Sequence, residues 1–403
     1  MKQISRMAMM MRRRNFGSSY FSVGNNNYGQ LALNANTHPN VLTAPTAPYL
    51  GVTQPDSWTA VSMRANAVAA VKNNGTLWVA GDNGFGQLGL GDTNSRNRFT
   101  QVLCETTVGS GVYKSDWVDV GMGSEHMAAL DAAGNIWTAG RNDIAAAVGN
   151  GATTPNNVTR LYNTALTPAP FRQHPIVFKA LQVGHRFTMG LDTNNDIWTF
   201  GNNGSRQLGR ASPGAVANPT QDTYHRKVDP PGPWQKMFAG GYHAGALHAD
   251  GTLWLWGLGD RGQKGVSDVN LRDPIIVPTI GGIPWVDVYM GENNTYIRNA
   301  NGEIYGMGSN TNGAVGVGLT DNNVMSPTKL TGLWRVVAID WYHSFGIKVD
   351  GTLWSWGDGG SGKLGLGNTN SYNTPQQIGT DTNWSKVVVG QYASMAFKRV
   401  EMF

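Results

Sequence analysis

Short apolar runs of four to seven residues, each bounded by glycine, recur along this chain. The clearest unit begins at Trp334 and reads WRVVAIDWYHSFGIKVDGTLWSWGDGGSGKLGLGNTN. An aromatic residue opens the first run, a second run follows, and a third run ends in Leu-Trp-x-Trp-Gly after an Asp-Gly pair. Valine, isoleucine and tryptophan in runs of this length are typical of strands. Each unit is therefore predicted to be a small antiparallel sheet.

The unit recurs at intervals of 49 to 61 residues. Its copies open at Trp58, Trp117, Phe178, Trp234, Trp285, Trp334 and Trp384. The last copy lacks its second half, and an isolated second half, YFSVGNNNYGQLAL, lies near the N-terminus. Sheets that cannot bury both faces alone can do so when stacked radially. The pattern predicts an all-β, seven-bladed β-propeller whose closing blade joins Trp384–Phe403 to Tyr20–Leu33, with the opening aromatics packed between blades.

Three local features of the unit carry further expectations. Asx-Gly pairs such as Asn74-Gly75 and Asp350-Gly351 predict type I′ hairpins, in which both central residues have positive φ. The glycine that ends the third run marks a place where neighbouring backbones come close. Proline-containing segments at 326–330 and 374–378 are expected to form outer edge strands, since an edge strand need not donate every N–H.

The repeat resembles that of the regulator of chromosome condensation family over residues 16–403. The signature is W-x-x-V-x-x-G-x-x-H-x-x-A-L, then D-G-x-L-W-x-W-G, then G-Q-L-G-L-G. Its residues in one copy are Trp234, Gly240, His243, Leu247, Asp250, Gly251, Leu253, Trp254, Trp256 and Gly257. The resemblance implies a seven-bladed propeller with a shared closing blade. Family members include nucleotide exchange factors for small GTPases, chromatin-docking proteins and enzyme inhibitors, so the fold alone does not assign a function.

The charge is unevenly distributed. The chain has 31 basic and 26 acidic residues, and five of the basic ones lie in the first fourteen positions without an acid among them. The rest is formally neutral, which argues against a broad basic face for nucleic acid. We therefore divide the chain into a basic, Met-rich arm (residues 1–15) and one propeller domain (16–403). Within the arm, Arg6, Arg12, Arg13 and Arg14 are predicted to bind a partner through carboxylates or phosphates.

Candidate chemistry was tested against simpler structural interpretations. Gly84–Gly89 matches G-x-G-x-x-G but follows a hairpin instead of leading from strand to helix, which indicates a turn. His126, His243 and His343 share one repeat position that other copies fill with Ala67, Phe187, Asn294 and Ala393. Such a position favours packing or a local hydrogen bond. We find no nucleophile elbow, and the single cysteine, Cys104, forms no metal motif. The expectation is no catalytic, cofactor or metal site, hence no enzyme.

The long connections at 35–57, 91–116, 149–177 and 210–233 are the irregular parts of the pattern. Long ordered loops in compact folds tend to be functional. Within them Arg172, Tyr224, His225, Arg226 and Lys227 are candidate partner-binding residues. A plain solvated loop is the alternative for each segment.

The sequence favours a non-catalytic protein–protein interaction scaffold. The main hypothesis is a structural component of a large assembly such as a phage virion (capsid or tail), anchored by the arm to other subunits and presenting loops to a neighbour or receptor. The alternative is a soluble regulator, resembling an exchange factor for a GTPase or an enzyme inhibitor. A third hypothesis is that the arm binds DNA or an anionic membrane, the only nucleic-acid contact expected. No run of eighteen apolar residues and no export signal is present, so a virion, or else the cytoplasm, is the expected location.

Overall fold

The computed structural model describes residues 20–34, 37–43, 58–105, 111–142, 148–149, 157–163, 176–210, 221–266 and 272–399. Within them, 27 β-strands form seven antiparallel sheets. Six sheets have four strands that are consecutive in sequence, and the seventh has three strands drawn from both ends of the chain. The predicted all-β, seven-bladed propeller with a shared closing blade is confirmed.

The strands of each blade are numbered in chain order, and every blade begins with the residue that opens a sequence repeat. Blade 1 contains β2 (Trp58–Arg64), β3 (Ala67–Lys72), β4 (Leu77–Gly81) and β5 (Arg96–Gln101); blade 2 contains β6 (Trp117–Met122), β7 (His126–Asp131), β8 (Ile136–Arg141) and β9 (Asn157–Asn163); blade 3 contains β10 (Phe178–Val183), β11 (Phe187–Asp192), β12 (Ile197–Asn202) and β13 (Gln221–Lys227).

The remaining blades follow the same plan. Blade 4 contains β14 (Trp234–Ala239), β15 (His243–His248), β16 (Leu253–Gly257) and β17 (Ile275–Val277); blade 5 contains β18 (Trp285–Met290), β19 (Asn294–Asn299), β20 (Ile304–Ser309) and β21 (Asn323–Lys329); blade 6 contains β22 (Trp334–Ile339), β23 (His343–Lys348), β24 (Leu353–Gly357) and β25 (Tyr372–Ile378). Blade 7 contains β26 (Trp384–Val389), β27 (Ala393–Lys398) and β1 (Tyr20–Gly24). Two single-turn 3-10 segments lie at Thr311–Gly313 and Gly360–Gly362.

Blade 7 closes the ring by pairing β27 with β1, from Tyr20 opposite Phe397 to Gly24 opposite Ala393. Residues 37–43 lie along the outer side of β1, where the other blades have a fourth strand. Ser22 and Thr43 exchange both backbone hydrogen bonds, at 2.9 and 3.0 Å. The same segment reaches blade 6, because Gly367 N–H donates to the Asn40 carbonyl at 2.9 Å. The seam is thus held both by the sheet and by this outer segment.

The seven opening aromatics are 1% to 5% exposed and pack against the preceding blade. Trp58, for example, shares a core cluster with Tyr20 and Phe397 of blade 7. Because the first strands carry these rings and contact one another, they are the innermost strands, arranged around a central axis. The hydrophobic core is accordingly a ring of seven inter-blade clusters.

The glycine that ends each third strand occupies a site of close backbone approach. These glycines have φ between 89° and 119°, and an added Cβ would lie 2.2 to 2.6 Å from the carbonyl oxygen of the residue preceding the second strand. They are Gly24, Gly81, Gly140, Gly201, Gly257, Gly308 and Gly357. This confirms the sequence expectation and shows that all seven blades share one backbone geometry.

The hairpins between second and third strands differ from the prediction. The turn glycine is left-handed, as in Gly75 with φ 77°, but the preceding Asn74 is not among the residues with positive φ. The Gly75 N–H donates to the Lys72 carbonyl at 2.9 Å, which closes a type I turn followed by a left-handed residue. The type I′ assignment was therefore wrong, because a three-residue loop with a bulged glycine satisfies the same Asx-Gly signal.

The outer strands agree with the sequence prediction in two blades and differ from it in three others. Segments 326–330 and 374–378 lie almost entirely within β21 and β25, as expected. However, β5, β9 and β13 lie inside segments that the sequence pattern presented as long connections. An outer strand pairs on one side only and, as in β5, is largely exposed, so it shows little hydrophobic alternation.

Candidate functional site

The turns between the first and second strands of each blade gather at one end of the central axis, because the first strands surround that axis. We call them the channel-mouth turns: residues 65–66, 123–125, 184–186, 240–242, 291–293, 340–342 and 390–392. Backbone hydrogen bonds link several of them directly. Ser124 N–H donates to the His185 carbonyl at 3.0 Å, and Gly241 N–H donates to the Gly291 carbonyl at 3.0 Å. Side chains on these turns therefore share one continuous rim.

One position of the repeat, three residues before the second strand, is glycine in five blades: Gly123, Gly184, Gly240, Gly291 and Gly390. The reason is space. A Cβ at Gly184 would lie 1.9 Å from the Phe187 ring, and one at Gly240 would lie 2.4 Å from the His243 ring. Blades 1 and 6 place Arg64 and Asp340 there instead. Two charged residues thus lie where the other five blades have glycine.

Arg64 spans the axis. Its Nη1 lies 3.2 Å from Oε2 of Glu292, although the two residues belong to blades 1 and 5, which are not neighbours. Glu292 is fully buried, and its Oε1 lies 2.7 Å from Nδ1 of His185 in blade 3. His185 also hydrogen-bonds Ser124 Oγ at 2.9 Å and stacks on the Tyr242 ring. One carboxylate therefore connects three blades at the axis.

A second ionic group lies beside this one. Glu125 of blade 2 receives Arg141 Nη1 at 3.2 Å on one oxygen and Arg186 Nη2 at 2.7 Å on the other. All three side chains are about one-fifth to one-quarter exposed, at 20%, 21% and 27%. This group faces solvent more than the Arg64–Glu292 pair does, and it carries one net positive charge.

Asp340 is the least compensated group of the rim. It is 2% exposed, and neither carboxylate oxygen has a hydrogen-bond partner among the described residues. Burial raises the pKa of Asp340 to about 7, with nearby Glu292 adding to the rise and Arg64 opposing it. Its N–H···O bond to His343 is 3.4 Å long, against 2.8 to 3.0 Å for the equivalent bonds of the five glycines. The Asp340 side chain is therefore accommodated with a longer backbone hydrogen bond and a buried carboxyl that lacks a partner among the described residues.

The three repeat-position histidines have a structural role. His126, His243 and His343 are fully buried, and the Nε2 of each hydrogen-bonds a hydroxyl of the next blade, on Thr188, Thr295 and Ser394, at 3.2, 2.8 and 2.8 Å. Burial lowers the pKa of His126 and His243 to about 3. The histidines thus stay neutral near pH 7 and tie neighbouring blades together, which confirms the local hydrogen-bond interpretation.

The G-x-G-x-x-G segments also have a structural role. Gln87 is buried, and its Oε1 accepts the Phe85 N–H at 2.9 Å, while Asn83 Oδ1 accepts the Leu88 N–H at 2.9 Å. The segment is consequently a side-chain-braced turn between β4 and β5. Within the described ranges, no group of three or more His, Cys, Asp or Glu residues is arranged to hold a metal. Cys104 is partly exposed in a connection.

Four of the residues predicted from the long connections lie on an outer strand and not in the channel-mouth turns. Tyr224, His225, Arg226 and Lys227 were predicted as loop residues, and this was wrong, because they lie in β13, the outermost strand of blade 3. Arg226 and Lys227 are exposed, and Lys227 Nζ lies 2.6 Å from Asp196 Oδ2. Arg172 and the arm residues Arg6, Arg12, Arg13 and Arg14 lie outside the described residues.

The channel-mouth charges were missed by the sequence analysis, although a signal was present. Three residues before the histidine position, Arg64 and Asp340 interrupt a series of glycines in the sequence. Each of them is a charged residue where five of the seven copies of the repeat have glycine. Such departures are expected at functional sites.

The fold and site define a class: a seven-bladed propeller closed by its two ends, with a charged rim around the axis. The sequence model of the RCC1-like domain matches residues 19–396, and the chain belongs to this family. None of the helices in the described ranges has the length and apolar character needed to cross a bilayer.

The curated relatives are longer than the segment that each of them shares with this chain. The Arabidopsis thaliana ultraviolet-B receptor UVR8 is 26% identical over 308 residues, covering 75% of this chain and 64% of the relative. Human HERC6, a probable E3 ubiquitin-protein ligase, is 27% identical over 217 residues, covering 51% of this chain and 21% of the relative. Human E3 ubiquitin-protein ligase HERC2 is 27% identical and matched over 6% of its length. The chain thus spans less than two thirds of each of these relatives.

Solved structures support the fold. Yeast RCC1 (Prp20), in its complex with Kap60, has a TM-score of 0.78 at 19% identity, covering 98% of this chain and 92% of that one. Human WBSCR16 has a TM-score of 0.77 at 14% identity, covering 95% and 99%. These structures therefore share the fold of this chain at low sequence identity.

Proposed function

We propose that this protein is a non-catalytic regulator that binds another protein through the channel-mouth turns. The observation that carries the proposal is the concentration of charge there: Arg64, Glu125, His185, Glu292 and Asp340 are brought together from five different blades. The repeat itself requires no charge at two of these places, since five of the seven blades have glycine where Arg64 and Asp340 lie.

The relatives are consistent with this proposal. A solved structure of Prp20p from Saccharomyces cerevisiae, similar at a TM-score of 0.78, is described with its binding properties to Gsp1p and histones. A GTPase is accordingly one class of partner to test for this chain. None of the relatives named above is described as a virion protein, so the comparisons give no support to a capsid or tail role. Anchoring by the arm stays a prediction.

The test compares two surfaces of the same protein. Arg186→Glu reverses a charge on the rim and leaves Glu125 with one partner instead of two. Lys227→Glu reverses an exposed charge on the outer strand of blade 3. Tagged wild-type protein and both variants are used to purify binding partners, and a stoichiometric partner is then reconstituted from purified components.

We expect Arg186→Glu to weaken the reconstituted complex at least about tenfold, because it reverses the charge of a rim side chain and removes one of the two ion pairs that hold Glu125 in place. Lys227→Glu should leave the complex unchanged. Equal affinity of wild type and Arg186→Glu, with a loss in Lys227→Glu, would place the binding surface on the outer strand and contradict the proposal. Unfolding curves of both variants verify that the propeller is intact.

A further inference from the structure

Asp340 is a buried carboxyl group that the fold does not use. Its place in the repeat is glycine in five of the seven blades, so the turn does not require a side chain there. It forms no ion pair with the described residues, and both oxygens lack hydrogen-bond partners among them. A buried polar atom without a partner is unfavourable and calls for an explanation.

The nearby charges do not neutralise Asp340. Arg64 is the basic group that acts on it, and the Arg64 guanidinium is already engaged with Glu292 at 3.2 Å. Two carboxyl groups therefore share one guanidinium. The His185 imidazole contacts the carboxylate of Glu292 and not that of Asp340. Among the described residues of the rim, Asp340 therefore has no cation of its own.

Aromatic residues flank this carboxyl on the rim. Trp341 and Tyr342 follow it in the same turn, with ring centroids 5.6 Å apart, and both are partly exposed. Tyr392, on the next channel-mouth turn, is 38% exposed. Aromatic faces attract cations, and guanidinium groups in particular stack on them. The turn that carries the Asp340 carboxyl thus also carries two aromatic side chains that could contact a cationic group arriving at the rim.

We propose that Asp340 is the anchor for a basic side chain, arginine or lysine, that the partner protein inserts at the channel mouth. This inference rests on the proposed function, because it assumes that a partner covers the rim. The arriving cation would give Asp340 the ion pair it lacks, while the neighbouring rings would cover the apolar stem of the inserted side chain.

The test uses methylguanidinium chloride as the probe. The protein is labelled with carboxyl-13C aspartate, and the Asp340 resonance is assigned by its disappearance in Asp340→Gly. This variant restores the residue of five other blades, so it should fold, and its unfolding curve verifies that it does. Asp321→Asn, a change at an exposed aspartate on a loop of blade 5, is the matched control.

We expect methylguanidinium to shift the Asp340 resonance saturably in wild type and in Asp321→Asn, and we expect sodium chloride at the same ionic strength not to do so. In the reconstituted complex, Asp340→Gly should weaken partner binding at least about tenfold, the size expected for a buried charge pair. No saturable shift, or an equal shift with sodium chloride, overturns the inference.

The two proposals fail separately. If Arg186→Glu disrupts the complex but Asp340→Gly does not, the channel mouth binds a partner without a cation at Asp340, and only this inference is wrong. If the probe binds to Asp340 but no rim variant affects any complex, the proposed function is wrong instead, and the basic side chain does not come from a partner held at the rim.

Discussion

Replacing Asp340 with asparagine should stabilise the protein at alkaline pH and should have little effect in acid. The perturbation removes a carboxyl that is 2% exposed and keeps nearly the same shape. In the folded protein burial raises the pKa of Asp340 to about 7, against 3.8 for an unperturbed aspartate. An acid with a raised pKa is one that folding holds in the neutral form.

The sign follows from proton binding in the two states. Below about pH 3 the carboxyl is largely neutral in both the folded and the unfolded chain, so it adds no pH dependence. Between about pH 4 and pH 7 the unfolded chain loses the proton while the folded one keeps it, and the free energy of unfolding therefore falls. Above about pH 7 both forms are ionised and the loss is constant.

The magnitude is bounded by the difference of about three pKa units, which corresponds to about 4 kcal/mol at 1.36 kcal/mol per unit. Movement of the Arg64 side chain toward Asp340 would reduce this energy. We therefore expect Asp340→Asn to raise the free energy of unfolding by about 1 to 4 kcal/mol at pH 8. The assay is urea-induced unfolding followed by tryptophan fluorescence at about pH 4.5, 6 and 8, since the chain has 14 tryptophans.

The comparison between Asp340→Asn and wild type cancels the titration of other groups, including the three buried histidines. Asp321→Asn, which changes an exposed carboxyl, should show no pH-dependent gain. A difference between Asp340→Asn and wild type that is the same at every pH, or a variant less stable than wild type at pH 8, would refute the assignment of Asp340 as an uncompensated buried acid.

Three further predictions concern the frame of the propeller. Trp234→Ala, at a side chain 2% exposed, should lower the free energy of unfolding by about 3 to 5 kcal/mol in urea titrations. Gly201→Ala should lower the free energy of unfolding more than Gly251→Ala in the same assay. Both glycines have positive φ, but only at Gly201 would a Cβ meet backbone, 2.5 Å from a carbonyl oxygen. Equal losses of stability in the two variants would contradict the close-approach argument. Burial lowers the pKa of His243 to about 3, so the unfolded chain binds a proton that the folded chain does not as pH falls below about 6.5. His243→Asn, which has the residue of blade 5, should therefore reduce the loss of stability in acid. An unchanged dependence of stability on acid pH would contradict this role of His243.

The fold was accessible from the sequence because its signals are local and repeated. The Asx-Gly turn and the glycine at the end of the third strand each reflect a steric requirement within one blade, and the aromatic opening reflects packing against the preceding blade. Seven copies make each weak signal strong. Outer strands such as β13 were missed because they pair on one side only.

The charged rim was harder to predict because it depends on distance in space. Arg64 and Glu292 are 228 positions apart and belong to blades that are not neighbours in the ring. No periodic pattern brings them together, since only the closure of the ring places blade 1 opposite blade 5. Asp340 was predictable in principle, as an exception within a column of glycines, but its lack of a partner is a property of the assembled axis.

The pairing of β1 with β27 also affects the order of events during synthesis. β1 leaves the ribosome early, yet its sheet partner between Ala393 and Phe397 is made more than 360 residues later. At translation rates of about 5 to 20 residues per second, β1 waits roughly 20 to 75 s with its inner edge open. Over that interval residues 37–43 can protect only the outer edge. The nascent chain therefore presents a free strand edge that a chaperone, or a second copy on the same message, could occupy before the ring closes.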